Sequence, residues 1–300
     1  MTVASNWIAL DWGTSRLRAW KMSPEGHVLD RASSDRGMSS LSPEQFEPAL
    51  LELIESWLHP DHKVRVLACG MIGAKQGWTE VPYIQTPCHP CADWKLALVR
   101  DKRIEVRIAS GLKQLEPADV MRGEETQVAG LLLAEPEFQG LVCLPGTHSK
   151  WVQVASGQIQ SFQTFMTGEL FGLLSEKSIL RHTLSDDELD PDSFLKSVQQ
   201  ALESPDSLVS QLFSLRAKVL LDVGAARTGR SRLSGWLIGQ ELALAQKQWD
   251  CSNITLIGSG HLADAYQLAF QVIDVRAKQM NAEELTLAGL QSLLRNQSDF

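Results

Sequence analysis

The sequence predicts an α/β protein built from two duplicated domains, and three observations predict it. A strand, a turn rich in glycine and hydroxyls, and a returning strand occur twice, beginning near residues 6 and 141, each time followed by another turn and strand. After each set, apolar runs of strand length alternate with segments of helical apolar spacing, as expected of a sheet covered by helices. At 300 residues the chain also lies where a single hydrophobic core tends to split. Domains are therefore expected at 1–135 and 136–300. No low-complexity linker separates them, so the border should be a hinge, and the final helix is free to pack back on the first domain.

The first strand is the apolar run from Asn6 to Leu10. Asp11-Trp12-Gly13-Thr14-Ser15 supplies turn chemistry, and Arg16 to Lys21 alternates charged and apolar residues with the period of a second strand. A ribbon with such a tip offers backbone N–H groups and two hydroxyls to an anion, and a carboxylate at a strand end can hold a hydrated divalent cation. Turn capping by Asp11 is the competing reading, and repetition of the device decides between them. His27 to Ser33 reads as a third strand. Ser42-Pro43-Glu44 opens a helix with a capping hydroxyl and a first-turn proline, and Phe46, Leu50, Leu53, Ile54 and Trp57 fall on one of its faces. Val64 to Cys69 is a strand running into Gly70-Met71-Ile72-Gly73, where glycines let the backbone approach a ligand. Pro82, Pro87 and Pro90 make the next stretch irregular, and Ile104 to Ala109 is another strand. Arg122-Gly123-Glu124-Glu125 then enters a helix with Val128, Leu131 and Leu132 inward. Acids in a first turn complement the helix dipole, and they are also where a general base can sit.

The opening device then returns. Leu141 to Leu144 is a strand, Pro145-Gly146-Thr147-His148-Ser149 a glycine and hydroxyl turn, Lys150 to Val154 a returning strand, and Ile159 to Phe165 a third. Lys150 reads as an exposed strand cation. Helical segments are expected at Leu170 to Glu176, Asp192 to Leu202 and Leu233 to Gln248, with a surface loop from Ser185 to Ser193. Ile254 to Ile257 is a strand ending in Gly258-Ser259-Gly260, followed by a helix through Phe270, a strand from Gln271 to Val275, and an amphipathic helix from Glu283 to Leu294.

Composition narrows the function. Hydrophobic content of 44% and charged content of 21% are those of an ordinary globular protein, and the net charge of −8 argues against a nucleic-acid or anionic-membrane surface. A small-molecule partner is expected. The N-terminus lacks a basic flank and long apolar core, and no run approaches a membrane span, so a cytoplasmic location is expected. Five cysteines without an export signal should be free thiols, and Cys88-His89-Pro90-Cys91 lacks the second ligand pair that a zinc site needs.

Gly258-x-Gly260-x-x-Ala263 after a strand, with Asp274 beyond, has the ingredients of a dinucleotide site, but too little chain follows for the rest of such a sheet. A P-loop is excluded because no Gly-Lys-Ser/Thr occurs. The arrangement that uses every piece resembles the actin-like ATPase and sugar-kinase architecture. It implies two duplicated ribonuclease-H-like domains with a nucleotide cleft between them, a phosphate hairpin from each, and a late glycine pair leaving room for adenosine. Within that superfamily the sequence resembles the 2-dehydro-3-deoxygalactonokinases through LDWGTSRLRAW, GMIGAKQGW, MRGEETQ, LPGTHSKW, FMTGELFGLL and GWLIGQEL, nearly end to end.

The resemblance implies transfer of the ATP γ-phosphoryl group to the 6-hydroxyl of 2-dehydro-3-deoxy-D-galactonate in galactonate breakdown. ATP and Mg²⁺ are the expected cofactors and a sugar acid the partner, with a homodimer left open. Gly13, Thr14, Ser15, Gly146, Thr147, Ser149, Gly258, Ser259 and Gly260 are expected to bind nucleotide. Asp11 would hold the metal, more heavily because the second turn lacks the acid that many superfamily members carry there. Glu124 or Glu125 is the expected base, with Glu169 as fallback. Arg16, Arg18 and Arg122 are candidates for the substrate carboxylate, which a guanidinium matches in two hydrogen bonds; Arg122 is favoured, Arg18 reads better as a solvated side chain, and Glu169 belongs to the same substrate group. An exopolyphosphatase-type phosphohydrolase is the alternative activity, with water in place of the sugar hydroxyl.

Overall fold

The computed structural model describes residues 6–184, 188–221 and 228–295. The chain forms two compact units, one of Met1–Gln139, Val154–Ser161 and Ala282–Phe300, the other of Gly140–Gln153 and Phe162–Asn281. In sequence order the first unit contains β1 (Trp7–Trp12), β2 (Leu17–Met22), β3 (Val28–Ser34), α1 (Phe46–Ile54), β4 (Val64–Gly70), β5 (Ile84–Gln85), β6 (Trp94–Leu96), β7 (Ile104–Ala109), β8 (Leu112–Gln114), β9 (Asp119–Met121) and α2 (Glu124–Ala134). Its main sheet has the order β3-β2-β1-β4-β7-β6, and β5-β8-β9 form a small second sheet. The β1–β2 and β2–β3 pairs are antiparallel, whereas β1–β4 and β4–β7 are parallel.

Alternation along β1 explains why this sheet is covered on both sides. Ile8, Leu10 and Trp12 face a core shared with Phe46, Leu50 and Ile54 of α1, while Trp7 and Ala9 face a second core with Ala129 of α2 and Leu290 and Leu293 of the closing helix Ala282–Arg295. Helix α1 starts as the Ser42 signal predicts: Ser42 and Gln45 cap each other across a short 3₁₀ turn. The closing helix packs on α2 through glycines. A Cβ on Gly130 would stand 2.0 Å from the Leu285 carbonyl oxygen, and one on Gly289 1.9 Å from that of Thr126.

Apart from Val154–Ser161, the end of one hairpin strand and the start of the next, which count with the first unit, the second unit repeats the plan with β10 (Gly140–Leu144), β11 (Ser149–Ala155), β12 (Gln158–Phe165), α3 (Thr167–Gly172), α4 (Pro191–Glu203), α5 (Leu208–Leu220), α6 (Gly229–Gln248), β13 (Ile254–Ile257), α7 (Gly260–Gln271) and β14 (Lys278–Met280). Its sheet order, β12-β11-β10-β13-β14, is that of β3-β2-β1-β4-β7, with β10–β13 and β13–β14 parallel. Leu141, Cys143, Ile254 and Leu256 meet Phe194 and Val198 of α4, Ile238 and Leu242 of α6, and Tyr266 and Phe270 of α7.

Three expectations are corrected. The strand expected over Gln271 to Val275 is a turn with Asp274 at φ +57°, and the fifth strand lies at Lys278–Met280, where the backbone reaches β13. Helix α5 was not anticipated: Val209, Phe213 and Leu220 are exposed and only Leu215 is buried, so its pattern lacks a single apolar stripe. Lys150 is 4% exposed, not a solvated strand cation. Part of the loop expected at Ser185 to Ser193 lies outside the described residues, and α4 begins at Pro191. Among the described residues no helix is long and apolar enough to cross a membrane.

The glycine contact between α2 and the closing helix gives a stability prediction. Gly289→Ala should lower unfolding free energy by about 1–3 kcal/mol, because the new methyl overpacks a contact closed by backbone atoms. Chemical denaturation of the variant against the wild type measures it.

Candidate functional site

In the first unit the site forms where parallel strands β1 and β4 end. Their register pairs Asp11 with Cys69 and Trp12 with Gly70, so the Asp11 carboxylate emerges beside the Gly70 backbone. Ligands of open α/β sheets gather at such carboxyl ends. Gly70 has φ +89°, and a Cβ there would lie 2.7 Å from the Trp12 carbonyl oxygen and 3.2 Å from Asp11 Oδ1. Gly123, at φ +110°, packs against Gly70 in turn: its Cβ would stand 3.4 Å from the Gly70 Cα. Side chains are excluded at both positions by conformation, and at Gly70 also by space. The start of α2 is thereby brought up to Asp11.

Asp11 does not cap its turn. It is the cross-strand partner of Arg18, whose guanidinium donates to its carboxylate, and its side chain is 16% exposed. Arg18 is exposed, as a solvated side chain should be, and is in addition paired with Asp11. Burial raises the Asp11 pKa, and Arg18 opposes that shift only in part. The turn beyond Asp11 is braced by Gly37–Ser39: Met38 donates its N–H to the Gly13 carbonyl, and Ser39 donates N–H and hydroxyl to that of Thr14, at 3.0, 3.0 and 2.9 Å. Thr14 and Ser15 remain exposed. Arg16 is exposed as well and pairs at 3.5 Å with exposed Asp35.

Burial separates the adjacent acids that the sequence left equivalent. Glu124 is half-buried, and one of its oxygens accepts the Arg122 N–H at 3.1 Å. Glu125 is wholly buried, accepting the Gly123 N–H at 2.7 Å and the Thr126 hydroxyl at 3.1 Å. Burial first, and the Glu124 charge second, push its pKa up to about 8. Arg122 is buried too. It donates to the Val81 carbonyl at 2.7 Å and lies over the Tyr83 ring with its carbon 4.4 Å from the centroid, while Nε and Nη1 have no hydrogen-bond partner among the described residues.

The second unit has its own turn at the matching place. Gly146 is half-buried, Thr147 and His148 are exposed, and the Glu169 N–H donates to the Thr147 carbonyl at 2.9 Å. The Glu169 carboxylate meets His148 Nε2 at 2.5 Å. Ser149 differs from expectation: it is buried with its hydroxyl 2.8 Å from that of Tyr266, because strand alternation turns it inward. Gly258 lies beside Pro145, 3.8 Å from its Cδ to a hypothetical Cβ, so the late glycine loop adjoins the turn. Ser259 and Gly260 are exposed, with nothing within 4 Å of a Cβ at Gly260. Glu241, at the centre of a buried network with Ser149, Trp151, Thr167 and Tyr266, escaped the sequence reading, since a lone acid in an apolar helix gives no spacing signal. All five cysteines are free, and Cys91 is buried with its thiol on the Thr126 hydroxyl. Among the described residues no group of three or more His, Cys, Asp or Glu side chains is arranged to hold a metal ion.

Two sheets of one strand order, each with a glycine and hydroxyl turn after its first strand, define an actin-like ATPase fold. The activator of 2-hydroxyisocaproyl-CoA dehydratase from Clostridium difficile, solved with bound ADPNP, shares the fold at a TM-score of 0.51 and 11% identity, covering 96% of this chain and 93% of its own. Residues 11–293 match the model of the 2-keto-3-deoxy-galactonokinase family, and the chain belongs to that family. It is 33% identical to the 2-dehydro-3-deoxygalactonokinase of Escherichia coli K12 over 97% of this chain and 98% of that one. A provisionally named 2-dehydro-3-deoxygalactonokinase of Rhizobium meliloti is 36% identical, with 98% of each chain covered. A crystal structure from Sinorhizobium meliloti, provisionally described as a 2-dehydro-3-deoxygalactonokinase, superposes at a TM-score of 0.90 with 35% identity, covering 98% of this chain and all of its own.

The elevated pKa of Glu125 fixes a sign for stability against pH. Between the ordinary value of 4.5 and about 8 the folded chain keeps a proton that the unfolded chain has lost. The stabilisation is therefore complete at low pH and disappears as pH rises through about 8. Glu125→Gln should remove this contribution, so its stability relative to wild type should improve as pH rises from 5 to 8, read by denaturant midpoints at fixed ionic strength.

Proposed function

We propose that the protein is an ATP-dependent sugar-acid kinase that transfers the γ-phosphoryl group to the 6-hydroxyl of 2-dehydro-3-deoxy-D-galactonate, giving the 6-phosphate in galactonate catabolism. The observation that carries this is the family match over residues 11–293, which spans both glycine and hydroxyl turns and both carboxylate positions.

Phosphoryl transfer passes through a loose transition state, so the protein mainly positions groups and stabilises charge. The backbone N–H groups of Thr14 and Ser15 and those of Gly146 and Thr147 are suited to hold phosphates, and Gly258 to Gly260 to hold the adenosine; the Gly13 N–H is bonded to the Arg16 carbonyl at 2.8 Å. A single carboxylate suits Mg²⁺, which keeps most of its waters and takes its other ligands from phosphates. Asp11 would hold that ion, whose charge would offset that developing on the phosphates. Arg18 must then share or yield the carboxylate it now occupies.

Glu124 is the base in this reading. It has the partial exposure a substrate hydroxyl requires, whereas Glu125 has no exposed surface and spends both oxygens on Gly123 and Thr126. Arg122, buried with two nitrogens unpartnered among the described residues, is the favoured partner of the substrate carboxylate, since an anion would complete its hydrogen bonding.

The activity is tested by coupled ADP release. Release should depend on added 2-dehydro-3-deoxy-D-galactonate, and equal release without it would refute a kinase. Glu124→Gln should lose on the order of 10²-fold or more in kcat with nucleotide binding intact. Full activity in Glu124→Gln together with an inactive Glu169→Gln would move the base to Glu169.

A further inference from the structure

The carboxylate of Glu241 lies in the middle of α6, 2% exposed, and burial raises its pKa. Its hydrogen-bond partners come from three other segments. Trp151 donates its indole N–H to Oε1 at 2.7 Å, the Thr167 hydroxyl donates to Oε2, and the Tyr266 hydroxyl lies 2.9 Å from both oxygens. An indole N–H can only donate, and a phenol has a single hydrogen. With the Tyr266 hydrogen directed at Glu241, the Ser149 hydroxyl, 2.8 Å away, becomes the donor to Tyr266. One buried carboxylate thus collects a converging set of donors, the arrangement in which a charge is tolerated inside a protein.

Each donor is attached to a part of the nucleotide side. Ser149 and Trp151 open β11 directly after Gly146-Thr147-His148. Thr167 opens α3, where Gly168 lies so close to the turn that a Cβ there would stand 2.3 Å from the Gly146 carbonyl oxygen, and where Glu169 donates its N–H to Thr147. Tyr266 belongs to α7, the helix that Gly258-Ser259-Gly260 leads into. The motifs LPGTHSKW, FMTGELFG and GWLIGQEL, far apart in sequence, converge on this carboxylate.

We propose that Glu241 is a positioning residue for the nucleotide: through Thr167, Trp151 and Tyr266 it fixes the second phosphate turn against the start of α3 and the adenosine loop, without itself touching the ligand. This rests on the reading of that turn as a phosphate site. Ser149, Trp151, Thr167, Glu241 and Tyr266 all belong to the second unit with the phosphate turn and the adenosine loop, so loss of the network should act on nucleotide affinity.

The experiment measures AMPPNP and sugar-acid affinities by calorimetry, with thermal melting alongside, for Glu241→Gln, Thr167→Val, Thr167→Ser and Gly146→Ala. Gly146→Ala probes the turn itself, because a Cβ there meets nothing nearer than 3.8 Å and the added methyl obstructs only an approaching phosphate. Glu241→Gln and Thr167→Val should weaken AMPPNP about tenfold while leaving sugar-acid affinity within about twofold, and Thr167→Ser, which keeps the hydroxyl, should restore it. Wild-type AMPPNP affinity in Glu241→Gln and Thr167→Val, beside a loss in Gly146→Ala, would overturn the positioning role and leave the phosphate reading standing. So would a parallel loss of both affinities that tracks a fall in melting temperature. No change in Gly146→Ala would remove the phosphate reading and the inference with it.

Discussion

The close approach of backbone at Gly70 is the constraint on which the first unit's site depends. β1 and β4 run parallel and end together, and Gly70 adopts a conformation closed to other residues while lying against Trp12, Asp11 and Gly123. A side chain at that point would push the start of α2 away from the end of β1. With glycine there, a strand-end carboxylate and two helix-start carboxylates share one small region. The Gly130 and Gly289 contacts hold α2 against the closing helix, so that helix takes part in placing the start of α2.

Within that region burial distributes the roles. Three acids of the same type meet three environments: Asp11 beside a guanidinium and partly open, Glu124 half-exposed on a backbone N–H, Glu125 enclosed and raised to about 8. A wholly buried carboxylate that stays protonated near neutrality is poorly suited to serve a ligand and well suited to fix a turn. Glu125 therefore reads as the brace of Gly123, and its neighbour, rotated by about 100° on the helix, as the more exposed of the two.

The second unit uses the same topology with different support. There a buried carboxylate on α6 replaces a glycine stack as the organising feature, drawing hydroxyls and an indole from three segments around the turn. Ser149 belongs to that support and Thr147 to the exposed tip, although the sequence shows both as hydroxyls of one turn. The repeated fold thus presents two similar turns held by unrelated interactions.

By itself the sequence determined the duplication, the strand and helix order around each turn, and the family, because these rest on local periodicity, turn chemistry and long motif strings. Ile104 to Ala109 and Ile254 to Ile257 are strands to the residue for that reason. Only the tertiary structure decided which acid is reachable, that Arg18 sits on Asp11, that Ser149 and Lys150 are buried, that the fifth strand lies beyond the Asp274 turn, and that Glu241 matters at all. Each of those depends on which surfaces other segments cover. Exposure and hydrogen-bond partners are properties of neighbours distant in the chain, and Glu124 and Glu125, adjacent and identical in type, differ only in what packs on them.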